Sequence, residues 1–206
     1  MTSINIKFEG SDKEMEFPRG ISLREIAEGL DKSMRKFALL GMVNGKISEL
    51  NTPVEEDAAV RILTFEDEKG RAAYRHTCSH IMAQAIQRLY PGTKLAIGPA
   101  IADGFYYDVD PVKPISTEDF PEITKEMEKI IRENLPLERF EMSREEALNF
   151  FEEKGEIYKV ELIHDLPADA VISCYKQGEF VDLCAGPHVP STGYIKAFKL
   201  MSLAGA

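Results

Sequence analysis

The chain has 206 residues, of which 44% are hydrophobic and 29% are charged. This balance is typical of folded proteins and excludes a disordered chain, and the length suffices for one large domain or two small ones. No apolar stretch reaches the roughly eighteen residues needed to cross a bilayer, and the N-terminal residues lack a basic cluster followed by an apolar run, so we expect a soluble cytoplasmic protein with no membrane partner. Three cysteines are an odd and sparse set for a disulfide framework, which suits a reducing compartment.

The net charge of −10 argues against a nucleic-acid partner, but the charges are unevenly distributed. Residues 69–102 contain five basic and no acidic side chains, whereas residues 118–156 contain thirteen acids against six bases. The acidity is therefore predicted to belong mainly to two surface helices. The basic stretch is either a solvated face or the approach path of a phosphate-bearing substrate, and the sequence leaves both interpretations open.

The first 64 residues indicate a small unit of strands around one helix. Residues 4–8 and 15–17 alternate with period two and are separated by the turn residues 9–12. Ser22 and Glu25 form a capping box at the start of a helix, and Asn44-Gly45 is a strong hairpin signal before further strands. A helix packed across a small mixed sheet is the expected result.

This order of elements resembles the ubiquitin-like β-grasp module called a TGS domain. The resemblance implies a binding or spacer module over residues 1–64, because no catalytic constellation appears in it. The charged stretch 66–70 is predicted to be a linker. A second domain is then expected over residues 65–206.

The second region is predicted to be α+β, with helices packed on a mostly antiparallel sheet. The expected elements are a helix over 72–89, a hairpin of strands 95–102 and 105–109, helices over 118–134 and 143–154, and strands over 171–175, 180–184 and 194–200.

Two pairs of residues with a four-residue spacing mark a candidate site. His76 and His80 lie one helical turn apart and point the same way, and Cys184 and His188 repeat the spacing about a hundred residues later. Imidazole and thiol groups suit proton transfer, nucleophilic attack and soft-metal binding near neutral pH. Alternation in the strand that ends at Cys184 places Asp182 on the same face.

The pattern of these residues admits three interpretations. It is a packed polar cluster without chemistry, a hydrolytic pocket, or a zinc site in which His76, His80, Cys184 and His188 complete a tetrahedral shell. Asp182 alone is also consistent with a structural hydrogen-bond acceptor. Cys78 and Cys174 are predicted to be small buried apolar residues, and His164 lies outside any motif.

Several longer motifs resemble the N-terminal editing region of bacterial threonyl-tRNA synthetase. They occur in the same order as in that family and cover most of residues 70–206: RHTCSH at 75–80, AIGP at 96–99, GFYYDV at 104–109, YKV at 158–160 and VDLCAGPHVP at 181–190. The preceding TGS-like module fits the same family.

The resemblance implies a proofreading function. A pocket for threonine rejects serine only through one missing methyl, worth about 1–3 kcal/mol, so the family hydrolyses the seryl ester at the 3′ end of tRNA(Thr) at a second site. On this basis His76 is expected to hold the terminal ribose or the attacking water. Lys159 is expected to position that water and to stabilise developing oxyanion charge.

The remaining roles are also implied by the resemblance. His80, Cys184 and His188 would shape the pocket, and Asp182 would orient an imidazole or receive the substrate's amino group. A Cys184 nucleophile is less favoured because attack by water needs no covalent step. No metal is expected to be required; zinc, as held in the related alanyl editing domains, is the alternative, and a module that binds tRNA or protein without catalysis is a third hypothesis.

The family's class II catalytic core and anticodon-binding domain find no counterpart in the sequence. We therefore expect no aminoacylation from this chain alone, and the family's ATP and its aminoacylation zinc would lie outside it. Full-length members of the family are expected to be homodimers, whereas this chain is expected to be monomeric.

Overall fold

The computed structural model describes residues 2–205, which form two compact units. The first unit comprises residues 2–74 together with 187–190, and the second comprises residues 75–186 and 191–205. None of the described helices is long and apolar enough to span a bilayer.

The first unit is one helix and a short second helix on a mixed five-stranded sheet. Its elements are β1 (Ser3–Phe8), β2 (Glu14–Pro18), β3 (Ile21–Ser22), α1 (Leu23–Leu30), α2 (Met34–Phe37), β4 (Leu40–Val43), β5 (Lys46–Glu49), β6 (Pro53–Val54) and β7 (Ala58–Leu63). The strand order is β2-β1-β7-β4-β5, with β1 and β7 parallel and the other neighbours antiparallel. This is the arrangement predicted for residues 1–64.

Local sequence signals account for the boundaries in this unit. The Ser22 hydroxyl accepts from the Glu25 backbone N–H at 3.3 Å, and the Glu25 carboxylate accepts from the Ser22 N–H at 3.1 Å, so the capping box is present. Asn44 and Gly45 have φ angles of 49° and 78°, which a tight hairpin turn between β4 and β5 requires.

The predicted linker at 66–70 is wrong, because a long helix, α3 (Glu68–Leu89), begins inside it. Asp67 closes the preceding turn: its carboxylate accepts from the Thr64 N–H at 2.9 Å and from the Arg61 guanidinium at 2.7 Å. A Cβ at Gly70 would lie 2.0 Å from the Thr64 carbonyl oxygen. This glycine therefore permits a close chain approach and is not a sign of flexibility.

The second unit contains a three-stranded antiparallel sheet, two short ladders and three further helices. The elements are β8 (Lys94–Leu95), β9 (Ala100–Ile101), β10 (Gly104–Phe105), β11 (Val109–Asp110), α4 (Phe120–Glu133), β12 (Leu137–Met142), α5 (Arg144–Glu153), α6 (Ile157–Asp165), β13 (Ile172–Gln177) and β14 (Phe180–Leu183). The sheet has the order β12-β13-β14, and the ladders pair β8 with β11 and β9 with β10.

The observed elements of this unit differ in part from the predicted ones. The hairpin expected over 95–109 is present as an antiparallel pairing, but it is interrupted between its two short ladders. The sequence did not reveal β12 or α6. The strand expected over 194–200 is absent: a 3-10 turn spans Thr192–Tyr194, and the Thr192 hydroxyl is bonded to the end of α4 through the Ile130 carbonyl at 2.8 Å.

Candidate functional site

Strand β14 divides its side chains between two environments. Val181 and Leu183 pack against the cluster that contains Phe151 and Ile163. Asp182 faces the opposite side, where it is only 2% exposed. The face predicted for Asp182 from strand alternation is the one observed.

Asp182 is paired with a lysine that is equally buried. Lys159 lies in the first turn of α6 and is 2% exposed, and its Nζ is 2.6 Å from Asp182 Oδ1. The same ammonium donates to the Ala96 carbonyl at 2.6 Å and to the Tyr107 hydroxyl at 2.9 Å. The ammonium thus donates two hydrogen bonds within the protein and forms a close ion pair with Asp182.

Tyr107 completes this cluster, because its hydroxyl donates to Asp182 Oδ2 while it accepts from Lys159. Burial, reinforced by the Asp182 charge, raises the pKa of Tyr107 well above its ordinary value of 10.0, so the phenol stays protonated. Burial alone would raise the pKa of Asp182, but Lys159, His80 and the two hydrogen bonds together lower it. Asp182 is therefore ionised near neutral pH.

His80 lies against the same carboxylate. Its Nε2 is 3.5 Å from Asp182 Oδ2, and its ring stands edge-on to those of His76 and Phe180. Burial lowers the pKa of His80 to about 3, although Asp182 opposes the shift. His80 is consequently a neutral imidazole near neutral pH.

His76 and Cys184 form the more accessible part of the site. His76 Nε2 lies 3.3 Å from Cys184 Sγ, and both side chains are partly exposed. The Cys184 thiol also accepts from the Gly186 N–H at 3.2 Å, in a turn where Gly186 has a φ of 72°. One ligand atom each from His76, His80 and Cys184 lies within 4.8 Å of the others, which is compact enough for a metal site.

His188 is assigned by its contacts to the first unit. Its backbone N–H donates to the Glu49 carboxylate at 2.8 Å, and the residue is 1% exposed. The contribution of its imidazole to the pocket or to a metal remains a prediction.

Tyr107 belonged to a motif, but sequence reasoning gave it no role. The available signal was the alternation in residues 104–109, which turns Phe105, Tyr107 and Val109 inward and leaves Tyr106 exposed. Gly98 supplies the space for the ring, because a Cβ there would lie 2.1 Å from it.

Three of the five basic side chains in segment 69–102 form hydrogen bonds or ion pairs with other groups of the protein. Arg71 donates to the backbone carbonyls of Phe65 and Glu66, and Arg75 donates to those of Ile101 and Ala102. Arg88 pairs with three carboxylates, those of Glu126, Glu133 and Glu179. These three arginines stabilise the fold, which weakens the interpretation of the segment as a phosphate path.

Two family models match the chain in regions that agree with this architecture. The TGS domain matches residues 9–64, and the model described as "Threonyl and Alanyl tRNA synthetase second additional domain" matches residues 172–205, which include Asp182 and Cys184. The chain is therefore similar to a TGS domain over residues 9–64 and to the threonyl and alanyl synthetase additional domain over residues 172–205.

Two curated relatives are similar to the chain over nearly all of its length. The chain is 57% identical over 206 residues to the threonine--tRNA ligase of Acetivibrio thermocellus and 56% identical over 203 residues to that of Carboxydothermus hydrogenoformans. These alignments cover 100% and 98% of the chain, which spans about a third (32%) of each relative. The resemblance to the N-terminal region of threonyl-tRNA synthetase is thereby confirmed.

Proposed function

We propose that the second unit hydrolyses a mischarged aminoacyl ester, seryl-tRNA(Thr), by attack of water. The observation that carries this proposal is the combination of a buried Lys159–Asp182 ion pair with a partly exposed His76–Cys184 pair. A fixed ion pair beside imidazole groups suits acyl transfer to water, in which an oxyanion develops next to a polarised nucleophile.

The proposed role of each side chain follows from its exposure to solvent. His76 is partly exposed and contacts a polarisable thiol, so it is the group that can meet the terminal ribose or the attacking water. His80 is neutral and buried against Asp182, so it shapes the pocket and is not a general acid. Cys184 contributes through its contact with His76, and His188 is proposed as a further wall of the pocket.

In this proposal Lys159 acts through its own ammonium group, which the surrounding acceptors hold in a fixed position. Its ammonium already lies close to oxygen atoms of Ala96, Tyr107 and Asp182, so direct donation to water or oxyanion requires exchange of one of these contacts. A substrate amino group near Asp182 would offer such an exchange, because the carboxylate can accept from an ammonium group. Lys159 would then be released towards the ester.

The proposed partner is the acceptor end of tRNA(Thr) carrying serine. The name of the relatives, threonine--tRNA ligase, supports tRNA(Thr) and aminoacylation by a complete synthetase. Serine on the acceptor end, a cytoplasmic location and dimerisation of the complete synthetase are expectations from the family resemblance. Rejection of threonine would rest on exclusion of one methyl group from the pocket, worth about 1–3 kcal/mol.

A deacylation assay with matched variants tests the proposal. His76→Ala and Lys159→Ala should each lower the rate of seryl-tRNA(Thr) hydrolysis by about 100-fold or more, a typical cost of losing a proton-transfer or charge-stabilising group. His164→Ala is the control, since His164 is an exposed histidine in the last turn of α6. Full activity in both site variants would exclude the assigned roles.

A zinc-dependent deacylase is the second candidate, favoured by the proximity of His76, His80 and Cys184. Two imidazoles and a thiol are suitable zinc ligands, and the neighbouring Lys159 charge is balanced by Asp182, so the residues fit the ion. A bound zinc would polarise the ester or a water molecule. Elemental analysis of the purified chain and of Cys184→Ser distinguishes the two: stoichiometric zinc that is lost in the variant would favour the metal mechanism.

A further inference from the structure

A second carboxylate, Glu156, is nearly buried without belonging to the site. It is 9% exposed and immediately precedes α6. Its Oε1 accepts from Gln87 Nε2 at 2.7 Å, and its Oε2 accepts from the Leu95 backbone N–H at 3.0 Å. One carboxylate thus joins α6 to α3 and to β8.

These partners lie beside the residues that the site uses. Leu95 precedes Ala96, whose carbonyl accepts from Lys159 Nζ, and the Glu156 carbonyl accepts from the Lys159 N–H at 3.0 Å in the first turn of α6. Gln87 lies in the helix that carries His76 and His80. Glu156 therefore contacts both the helix that carries Lys159 and the end of β8, which directly precedes the acceptor residue Ala96.

Helix capping does not account for this burial. Glu156 occupies the N-cap position of α6, but its side chain makes no capping hydrogen bond. Its carboxylate instead bonds to residues 69 and 61 positions away in the sequence. Removing a carboxylate from water costs free energy unless its hydrogen bonds are strong and well oriented, so the position has a specific requirement for such an acceptor.

We propose that Glu156 is a positioning residue for Lys159, and that it sets the rate of ester hydrolysis by fixing the ammonium group against Ala96, Tyr107 and Asp182. This inference rests on the proposed deacylase function for its kinetic consequence. Its structural part, the dependence of Lys159 on Glu156, is independent of that function.

Two substitutions separate the hydrogen bonds from the bulk of the side chain. In Glu156→Gln the new amide oxygen can accept from the Leu95 N–H. The new amide nitrogen can donate to the Gln87 side-chain oxygen if the Gln87 amide rotates so that this oxygen faces residue 156. In Glu156→Ala both bonds are lost and the Leu95 N–H is left without its acceptor. Glutamine should therefore rescue what alanine removes.

The kinetic test uses the full 206-residue chain and seryl-tRNA(Thr). Glu156→Ala should lower kcat by about 100-fold with KM nearly unchanged, because a displacement of about 1 Å at a reacting group has an effect of that size. Glu156→Gln should remain close to wild type. In a Lys159→Ala background Glu156→Ala should have little further effect, since the two act through one group.

Glu179→Ala is the matched control. The Glu179 carboxylate also accepts hydrogen bonds from α3, donated by Gln84 and Arg88. These hydrogen bonds involve neither α6 nor β8. Its loss should affect stability and leave kcat within the range of wild type. A reduction of kcat equal to that of Glu156→Ala would overturn the positioning role.

Chemical labelling of Lys159 tests the structural part without any activity. Reaction with an amine-directed reagent, followed by peptide mass spectrometry, should be at least about tenfold faster at Lys159 in Glu156→Ala than in wild type, Glu156→Gln or Glu179→Ala, because local opening exposes the amine. Unchanged labelling would overturn the inference. If Lys159 is labelled faster in Glu156→Ala but the wild-type chain hydrolyses no ester, the structural part of the inference stands and the proposed function is excluded.

Discussion

The ion pair of Lys159 and Asp182 is the most unusual feature at the scale of single residues. Both side chains are 3% exposed, and each is compensated by the other and by Tyr107. Desolvation of two charges rarely favours stability on its own. A functional requirement for a fixed charge is the simplest explanation for keeping the pair.

Removing one member of this pair should cost more than removing both. We expect Lys159→Met to lower the free energy of unfolding by about 3–5 kcal/mol, because it leaves Asp182 charged and buried without its cation. Lys159→Met/Asp182→Leu should recover part of the loss. Urea unfolding measures both, with Lys129→Met, an exposed lysine of α4, as the control.

Equal or greater destabilisation in the double variant would contradict this account of the ion pair. It would mean that packing, and not the isolated charge, dominates the energetics at this position.

Acid should destabilise the protein through His80. The folded-state pKa of about 3 lies below the ordinary 6.5, so the unfolded chain binds a proton at His80 in this interval and the native state does not. The contribution to stability is fully present above pH 6.5 and is lost as pH falls towards 3. Asp182, whose pKa is also lowered, adds to the loss below the ordinary pKa of an aspartate.

Thermal unfolding between pH 7 and pH 4 measures this effect. The decrease of Tm on acidification should be smaller in His80→Gln than in wild type, whereas His164→Gln should behave as wild type because His164 is exposed. Identical pH dependence in wild type and His80→Gln would show that His80 is protonated equally in both states.

At the scale of elements, predictions from short sequence motifs were correct where both hydrogen-bonding partners belong to the same motif. The capping box at Ser22 and the Asn44-Gly45 turn were predicted and are present. The partners in each motif are at most three residues apart, so a short stretch of sequence is enough to predict the motif.

Elements that depend on distant partners were missed. Helix α6 has only nine residues and carries Lys159 on its buried face, next to Ile163, so its apolar pattern is interrupted where the site begins. In β12 the alternation breaks at Arg139, and the strand is defined by its register with β13. Residues 194–200 were expected to form a strand, but the structure has none there.

Arg88 is the main electrostatic connection between elements of the second unit. It joins α3 to Glu126 and Glu133 of α4 and to Glu179 at the turn between β13 and β14, at distances of 2.6–3.0 Å. Its side chain is 22% exposed, so the pairs are only partly screened by solvent.

Arg88→Met should therefore destabilise the protein by about 1–3 kcal/mol, less than a fully buried pair would and more than a surface pair. Arg132→Met is the control, because Arg132 makes one exposed ion pair at 3.8 Å on α4. Chemical denaturation at low and high salt compares them. A loss in Arg88→Met no greater than that of the control would show that the network contributes little.

At the scale of the whole molecule, the sequence predicted the candidate site in part. Spacing and strand alternation identified His76, His80, Cys184 and Asp182, since these rules depend on helix and strand geometry alone. Lys159 was identified only through the family resemblance, because a lysine in a short helix is ordinarily solvated. Tyr107 and Glu156 were missed because their partners lie more than sixty residues away or in elements that the sequence did not reveal.

The most direct test of the proofreading proposal compares hydrolysis of seryl-tRNA(Thr) and threonyl-tRNA(Thr) by the 206-residue chain, with and without a chelator. The account predicts hydrolysis of the seryl ester at least about tenfold faster than that of the threonyl ester, consistent with the energy of one methyl group, and no effect of the chelator. Equal rates on both esters, or no hydrolysis of either, would contradict it.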